Sequence, residues 1–267
     1  MSTFRTSDGV SLHHTDDGSG PAVLLIAGFA ASADTWELQR RALLAAGHRV
    51  LTLDRRGHGF SETPAYGWRM SRHGKDLHDF LTTLDLRDVV LVGGSMGAST
   101  IWAYHDLFGG DRVRGIVSVD QTPRMLNDGD WKHGFYGLTP DTIGTFFSGG
   151  VPDTGHPGHP SRTAEGLARL VEALGRPPQG SNWRAMRALL QDHASQDWRD
   201  VVARVSVPSL FLAGRDSQFW PWTHATAATE LNELATAEIV DNCGHPMNLD
   251  QADAVNEALV TFLKSLA

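Results

Sequence analysis

Ser95 stands inside Val89-Val90-Leu91-Val92-Gly93-Gly94-Ser95-Met96-Gly97-Ala98-Ser99, an apolar, valine-rich run that stops at a double glycine. A small-residue step and a helix-compatible segment, Ser99 to Phe108, follow. The pattern reads as strand, sharp turn and helix, with the serine at the turn. A nucleophile elbow needs such a serine, held in a strained conformation at the tip of a central strand. Gly93 and Gly97 leave room for helix and strand to pass closely. The helix N-terminus behind Ser95 adds free N–H groups and partial positive charge where an oxyanion would form. Alone the motif is weak, because a glycine-rich strand-to-helix turn with a capping serine looks the same.

A serine hydroxyl is a poor nucleophile until an imidazole takes its proton and a carboxylate orients that imidazole. Behind an elbow these partners follow in the order Ser, acid, His. Two later stretches supply them. Pro208-Ser209-Leu210-Phe211-Leu212-Ala213-Gly214 reads as a strand and runs into Arg215-Asp216. Thr236–Val240 reads as another and runs into Asp241-Asn242-Cys243-Gly244-His245-Pro246. Asp216 and His245 could separately be a turn residue and a helix-leading cap. In order, and each after a strand's carboxyl end, they join Ser95 at one sheet edge. Asp120, ending the strand Arg114–Val119, competes with Asp216 for the acid's place.

The elements that must position these residues alternate. Phe4–Thr15 breaks at Asp8-Gly9 and reads as a hairpin. Pro21–Ala27 is a continuous apolar run, suited to a parallel strand buried on both faces. A small-residue loop, Gly28 to Ser32, leads to Trp36 and a helix through Ala46; Gly47–Leu53 is the next strand. The polar loop Arg55–Ser61 and a helix from Ser71 to Leu84 precede the elbow strand. Strand and helix thus alternate to residue 120, which implies a parallel sheet with helices on both faces. From 122 to 200 no strand is evident. Helical candidates occupy Thr139–Phe147, Arg162–Leu174 and Asn182–Val205, joined by the Gly/Pro loop Gly149–Pro160. The rhythm returns at Pro208, with helices at Thr223–Leu234 and Gln251–Leu266. The expectation is a core of 1–121 and 201–267 with a helical lid, 122–200, over the sheet's C-terminal edge, where open α/β sheets bind ligands.

The 267 residues suit one α/β domain with an insertion. A hydrophobic fraction of 41% with 20% charged residues is that of an ordinary globular protein. A net charge of −8, with no basic cluster, argues against nucleic acid or anionic membrane as the main partner. The single cysteine, Cys243, cannot form an internal disulfide, and it lacks an elbow to serve as nucleophile. Met1–Gly20 is polar, with no apolar signal core, so the expected compartment is the cytoplasm.

Gly93–Gly97, Asp54-Arg55-Arg56-Gly57-His58-Gly59-Phe60-Ser61, Gly214-Arg215-Asp216 and Cys243-Gly244-His245 together resemble the α/β-hydrolase superfamily. The chain is similar over nearly its whole length to the single-domain bacterial esterases and the cofactor-free, non-haem haloperoxidase-like members. The resemblance implies an α/β-hydrolase fold and an enzyme with Ser95 as nucleophile, His245 as general base and Asp216 as orienting acid. Asp216 is favoured over Asp120 because Gly214-Arg215-Asp216 has the usual strand-end spacing. The oxyanion hole would be the N–H groups of Phe29 and Met96. No cofactor or metal is implied: His156 and His159 flank Pro157-Gly158 without a third ligand, and His58 reads as a structural loop histidine. One departure stands out, since relatives usually carry a histidine before the glycine of the oxyanion loop and Ala27 stands there.

Phe29, Trp36, Trp131, Phe135, Phe146, Phe147 and Trp220 map to the pocket mouth, the lid or the segment after Asp216, which suits an apolar or aromatic substrate. The leading activity is hydrolysis of a carboxylic ester or lactone through an acyl-enzyme. Carbon–carbon bond hydrolysis and haloperoxidase-type perhydrolysis stay open on the same residues. So do cofactor-free dioxygenation of an N-heteroaromatic ring and a non-catalytic small-ligand receptor, and a homodimer is left open. A serine at 95 disfavours epoxide hydrolase or dehalogenase chemistry, whose covalent ester needs a carboxylate nucleophile.

Overall fold

The computed structural model of the chain describes residues 2–266. Eight strands form one sheet in the order β1-β2-β4-β3-β5-β6-β7-β8. They are β1 Ser2–Arg5, β2 Ser11–Asp17, β3 Ala22–Ile26, β4 Arg49–Leu53, β5 Val89–Gly94, β6 Val113–Val119, β7 Ser209–Gly214 and β8 Ala235–Val240. The hairpin β1–β2 adds to β4 antiparallel, and every pairing from β4 to β8 is parallel.

The apolar strand runs are buried on both faces. Val23 and Leu25 of β3, with Val90 and Val92 of β5, point into one cluster. Leu24 and Ile26, with Val89 and Leu91, point into another. The first is covered by Leu43 of α1 (Glu37–Ala45) and by Val255, Leu259 and Phe262 of α9 (Ala252–Ser265). The second is covered by Leu77 and Phe80 of α2 (Met70–Thr83) and Ile101 and Tyr104 of α3 (Met96–Phe108). At roughly 1.5–3 kcal/mol per fully buried large aliphatic side chain, these two layers dominate the stabilisation of the sheet.

Between β6 and β7 the chain departs from the expected helices in two places. Residues 139–149 form a chain of turns rather than a regular helix, although Ile143 and Phe146 donate back to Thr139 and Thr142 carbonyls at 3.0 Å. The run 182–205 is two helices, α5 Arg187–Ala194 and α6 Arg199–Arg204. Asp197 interrupts it by pairing with Arg124, through an isolated bridge and an ion pair at 3.3 Å. The other helix of this region, α4 Pro160–Leu174, agrees with its sequence signal and ends on Gly175 in the left-handed conformation (φ 70°). After β7, α7 is only Thr223–Thr229, and a short α8, Met247–Asp250, without a clear sequence signal, follows the His245 loop. Residues 122–200 contribute Phe135, Phe147, Leu189 and Leu190 to a third apolar cluster, shared with Met96 and Trp102 of α3 and Phe211 of β7.

Candidate active site

Ser95 sits between β5 and α3 with φ 51° and ψ −127°. A non-glycine residue in that region costs on the order of 1–3 kcal/mol, a strain kept only where the surroundings over-determine it. They do so here. The Ser95 N–H donates to the Val119 carbonyl at 2.9 Å, which ties the turn to the neighbouring strand. A Cβ on Gly97 would stand 2.2 Å from the Ile26 carbonyl oxygen, so only glycine lets α3 leave the sheet at this angle. The loop after β3 approaches equally closely: a Cβ on Gly28 would lie 3.0 Å from Ser95 Cβ and 3.3 Å from the Gly94 carbonyl. Phe29 follows Gly28, and Met96 opens α3. No acceptor among the described residues takes either backbone N–H, so both are free for a ligand oxygen.

Arg55 anchors the loop that carries Ala27 and Gly28. Its guanidinium donates to the Ala27 carbonyl at 3.2 Å and the Gly28 carbonyl at 2.8 Å. It also meets His73 Nδ1 at 3.2 Å and His58 Nε2 at 3.1 Å. Burial pulls the Arg55 guanidinium down to about 9, against the favourable charge of Asp54. Burial first, then the Arg55 charge, pushes the pKa values of His58 and His73 well below the ordinary imidazole range, so both are neutral partners. His58, with Nδ1 2.9 Å from the Arg56 carbonyl, is a bracing residue of this loop.

His245 lies in the loop between β8 and α8. Its Nδ1 is 2.7 Å from Asp120 Oδ2. Asp120 follows β6 with φ 47° and is fully buried. The same carboxylate accepts from the Gly214 N–H at 3.0 Å and the Ser217 hydroxyl at 2.7 Å, and His224 Nε2 stands 3.4 Å from Oδ1. Burial alone would raise the Asp120 pKa. The hydrogen bonds and charges of His224 and His245 outweigh it and hold the carboxyl well below its usual range. The His245 backbone N–H donates to Gln218 Oε1 at 2.9 Å, and the imidazole lies 4.4 Å from the Phe219 ring.

The expected pairing of Asp216 with His245 is therefore corrected. Asp216, whose side chain is 40% exposed, instead accepts from His159 Nε2 at 2.9 Å. His245 is taken by the residue that competed for its place. The reason lies in the surroundings: Asp120 is fully buried where the Gly214 N–H, the Ser217 hydroxyl and His245 converge on its carboxylate. Asp216 lies one strand farther out and faces the loop before α4. His159 is thus a partner of that aspartate, while His156 stacks on Tyr136 at 3.7 Å between ring centres. Among the described residues no cluster of three or more His, Cys, Asp or Glu side chains forms a metal-binding set.

Ser95 and His245 open onto two cavities. The larger, about 270 Å³, has Phe29, Met96, Phe135, Phe147 and Trp220 in its walls. The smaller, about 110 Å³, lies on the other side of the serine, between Gly28, Trp36, Val119 and Asn248. Of the aromatics expected to face substrate, Trp131 and Phe146 line neither. Trp131 is buried as a brace, its Nε1–H donating to the Arg124 carbonyl at 2.9 Å. Phe146 packs edge-on against Phe135 and Phe147 from behind. Sequence reasoning missed Met125, Leu190, His193 and Phe219 of the larger cavity. It also missed Arg55, Ser217, Gln218 and His224 as supports. Phe219 had a signal, its adjacency to Trp220, and Arg55 had one in the stretch Asp54–Ser61; the others have no motif of their own.

Fold, elbow and cavity define the class, and comparison with known proteins agrees. The family model described as "Alpha/beta hydrolase family" matches residues 23–258, and the chain belongs to that family. It is 30% identical over 279 residues to the non-heme chloroperoxidase CPO-A1 of Kitasatospora aureofaciens, covering 98% of this chain and 99% of that one. It is 25% identical to the bifunctional esterase/perhydrolase of Acinetobacter calcoaceticus, covering 99% and 100%. Among solved structures, the bromoperoxidase of Bacillus anthracis superposes with a TM-score of 0.81 at 26% identity, over 98% of this chain and 100% of that one. The chain is an enzyme of the α/β-hydrolase type. No helix among the described residues is long and apolar enough to cross a membrane.

Proposed function

We propose that the protein is a serine hydrolase of carboxylic esters or lactones bearing an apolar or aromatic group, acting through an acyl-enzyme on Ser95. The observation that carries this is the 2.7 Å contact between Asp120 and His245 Nδ1, in a loop that shares both cavities with Ser95. With Nδ1–H committed to Asp120, His245 presents an unprotonated Nε2 as general base. Ser95 Oγ attacks the carbonyl carbon while its proton passes to Nε2. The oxyanion collects the Phe29 and Met96 N–H groups, and the alcohol leaves with the proton from His245. Water then repeats the sequence on the acyl-enzyme. Each oxyanion donor would contribute on the order of 10²–10³ in rate. Residues 122–200 act as a cap in this reading, since Met125, Phe135, Phe147, Leu190 and His193 bring its side chains to the larger cavity.

A fluorophosphonate should label Ser95 and abolish turnover of p-nitrophenyl butanoate, and Ser95→Ala should be inactive. Wild-type turnover by Ser95→Ala would refute the reading. Similarity to a chloroperoxidase and to an esterase/perhydrolase favours a second outcome on the same intermediate. Hydrogen peroxide in place of water would deacylate Ser95 to a peracid, which would oxidise halide away from the protein. Bromination with acetate and peroxide, lost in Ser95→Ala, tests it.

A further inference from the structure

His193 is the one polar side chain in the wall of the larger cavity besides Ser95 and His245. It lies on the buried face of α5, where Met186, Leu189, Leu190 and Ala194 are apolar. A leucine at 193 would continue that stripe. The imidazole is 4% exposed, and its Nδ1 is buried with no hydrogen-bond partner. The guanidinium of Arg55 bonds two carbonyls and two other histidines, and not His193. The rest of the wall is apolar, with Phe29, Met125, Phe135, Phe147, Leu190 and Trp220 among its side chains. Nε2, the ring nitrogen that is not sealed off, also has no hydrogen-bond partner among the described residues, so a polar group of a ligand in the cavity would supply a bond that the wall does not.

We propose that His193 is a specificity-determining residue that hydrogen-bonds a neutral hydroxyl or keto group on the apolar part of the substrate, away from the reacting carbonyl. This rests on the ester-hydrolase reading of Ser95 and names the substrate class within it: an aryl or arylalkyl ester carrying one neutral polar substituent. A carboxylate is disfavoured. Burial, with the Arg55 charge adding to it, pulls the His193 imidazole down to about 3, so at neutral pH it offers one donor and one acceptor but no charge.

The test compares p-nitrophenyl 3-phenylpropanoate with its 3-hydroxy, 4-hydroxy and 4-acetyl ring derivatives. The wild-type enzyme should favour at least one substituted ester by roughly 5–10-fold in kcat/KM, the range of one net hydrogen bond, and chiefly through KM. His193→Leu should erase that preference, the kcat/KM ratio of each substituted ester to the parent falling to about one. His193→Gln, which keeps a donor and an acceptor, should retain part of it. A wild-type enzyme indifferent to all three substituents overturns the proposal, as does a preference that survives in His193→Leu. Binding separates this from failure of the hydrolase reading. In Ser95→Ala, quenching of tryptophan fluorescence by 3-(4-hydroxyphenyl)propanamide, 3-(3-hydroxyphenyl)propanamide and 3-(4-acetylphenyl)propanamide is compared with quenching by 3-phenylpropanamide, and no ester need be turned over. Tighter binding of a substituted amide, lost on adding His193→Leu, supports His193 even if no ester is a substrate. Equal binding of all four amides counts against it.

Discussion

Replacing Asp120 by asparagine conflicts with the hydrogen bonds that converge on it. One carboxylate oxygen takes the Gly214 N–H; the other takes the Ser217 hydroxyl and His245 Nδ1. An asparagine has one acceptor oxygen and one NH₂ donor, so it must fail on one side. If the NH₂ faces Gly214, two donors confront each other in a fully buried site, at a cost of about 1–3 kcal/mol. If it faces His245, the Ser217 hydroxyl can rotate to accept, and His245 can accept only by moving its proton to Nε2. The second arrangement leaves no backbone donor stranded and is the one expected. It puts a proton on the nitrogen that must take one from Ser95. The expected loss in kcat is roughly 10³–10⁴, about 4–5.5 kcal/mol on the barrier. KM should stay within a few-fold, because Asp120 does not line the cavities. Steady-state hydrolysis of p-nitrophenyl butanoate measures it, beside Asp216→Asn, which should stay within about threefold of wild type. An Asp120→Asn enzyme within tenfold of wild type, with Asp216→Asn lowered a thousandfold, would refute the reasoning and return the acid to the strand-end aspartate after β7. Stability carries a second signature. The folded Asp120 carboxyl is depressed below its unfolded value, so its contribution is complete above about pH 4 and is lost as pH falls further. Acid unfolding followed by circular dichroism should lose that dependence in Asp120→Asn.

Three further outcomes follow from the same geometry. Gly28→Ala should lower kcat by about 10² or more without unfolding the chain, because its Cβ would meet Ser95 Cβ at 3.0 Å and push the Phe29 donor out of place; unchanged p-nitrophenyl butanoate kinetics would exclude Phe29 from the oxyanion site. Arg55→Met should likewise reduce kcat by about 10²–10³ while leaving the far-UV circular dichroism unchanged, because the Ala27 and Gly28 carbonyls lose the donor that holds them; wild-type kinetics in Arg55→Met would remove Arg55 from the support of this loop. His159→Ala removes only a half-exposed pair with Asp216, worth about 0–1 kcal/mol, so kcat should change less than threefold and calorimetry should show a small Tm shift.

The central strands were legible because a parallel strand buried on both faces writes a continuous apolar run, and Val23–Ile26, Val89–Val92 and Leu210–Ala213 do so. The position of Ser95 was legible because it stands where such a run stops, whereas His245 follows β8, a largely exposed edge strand, and was marked by Cys243-Gly244-His245. The carboxylate that pairs with His245 was not. Asp120 and Asp216 both end strands, and sequence spacing measures distance along the chain, not across the sheet. What separates them is burial: Asp120 is enclosed by His224, Ser217 and His245, whereas Asp216 is left half-exposed beside His159. His224 and Ser217 carry no motif, since a residue whose role is to enclose a carboxylate needs only the right position. The same holds at the oxyanion loop. The two carbonyls of Ala27 and Gly28 are held by Arg55, drawn from a different loop. Such support is a property of the contact, not of either segment. It becomes visible only when β3 and β4 are side by side, with their following loops emerging from the same edge. In the segment 122–200 helical periodicity finds buried faces but not the breaks between helices. There the ion pair between Arg124 and Asp197, 73 residues apart in sequence, fixes where one helix ends and the next begins.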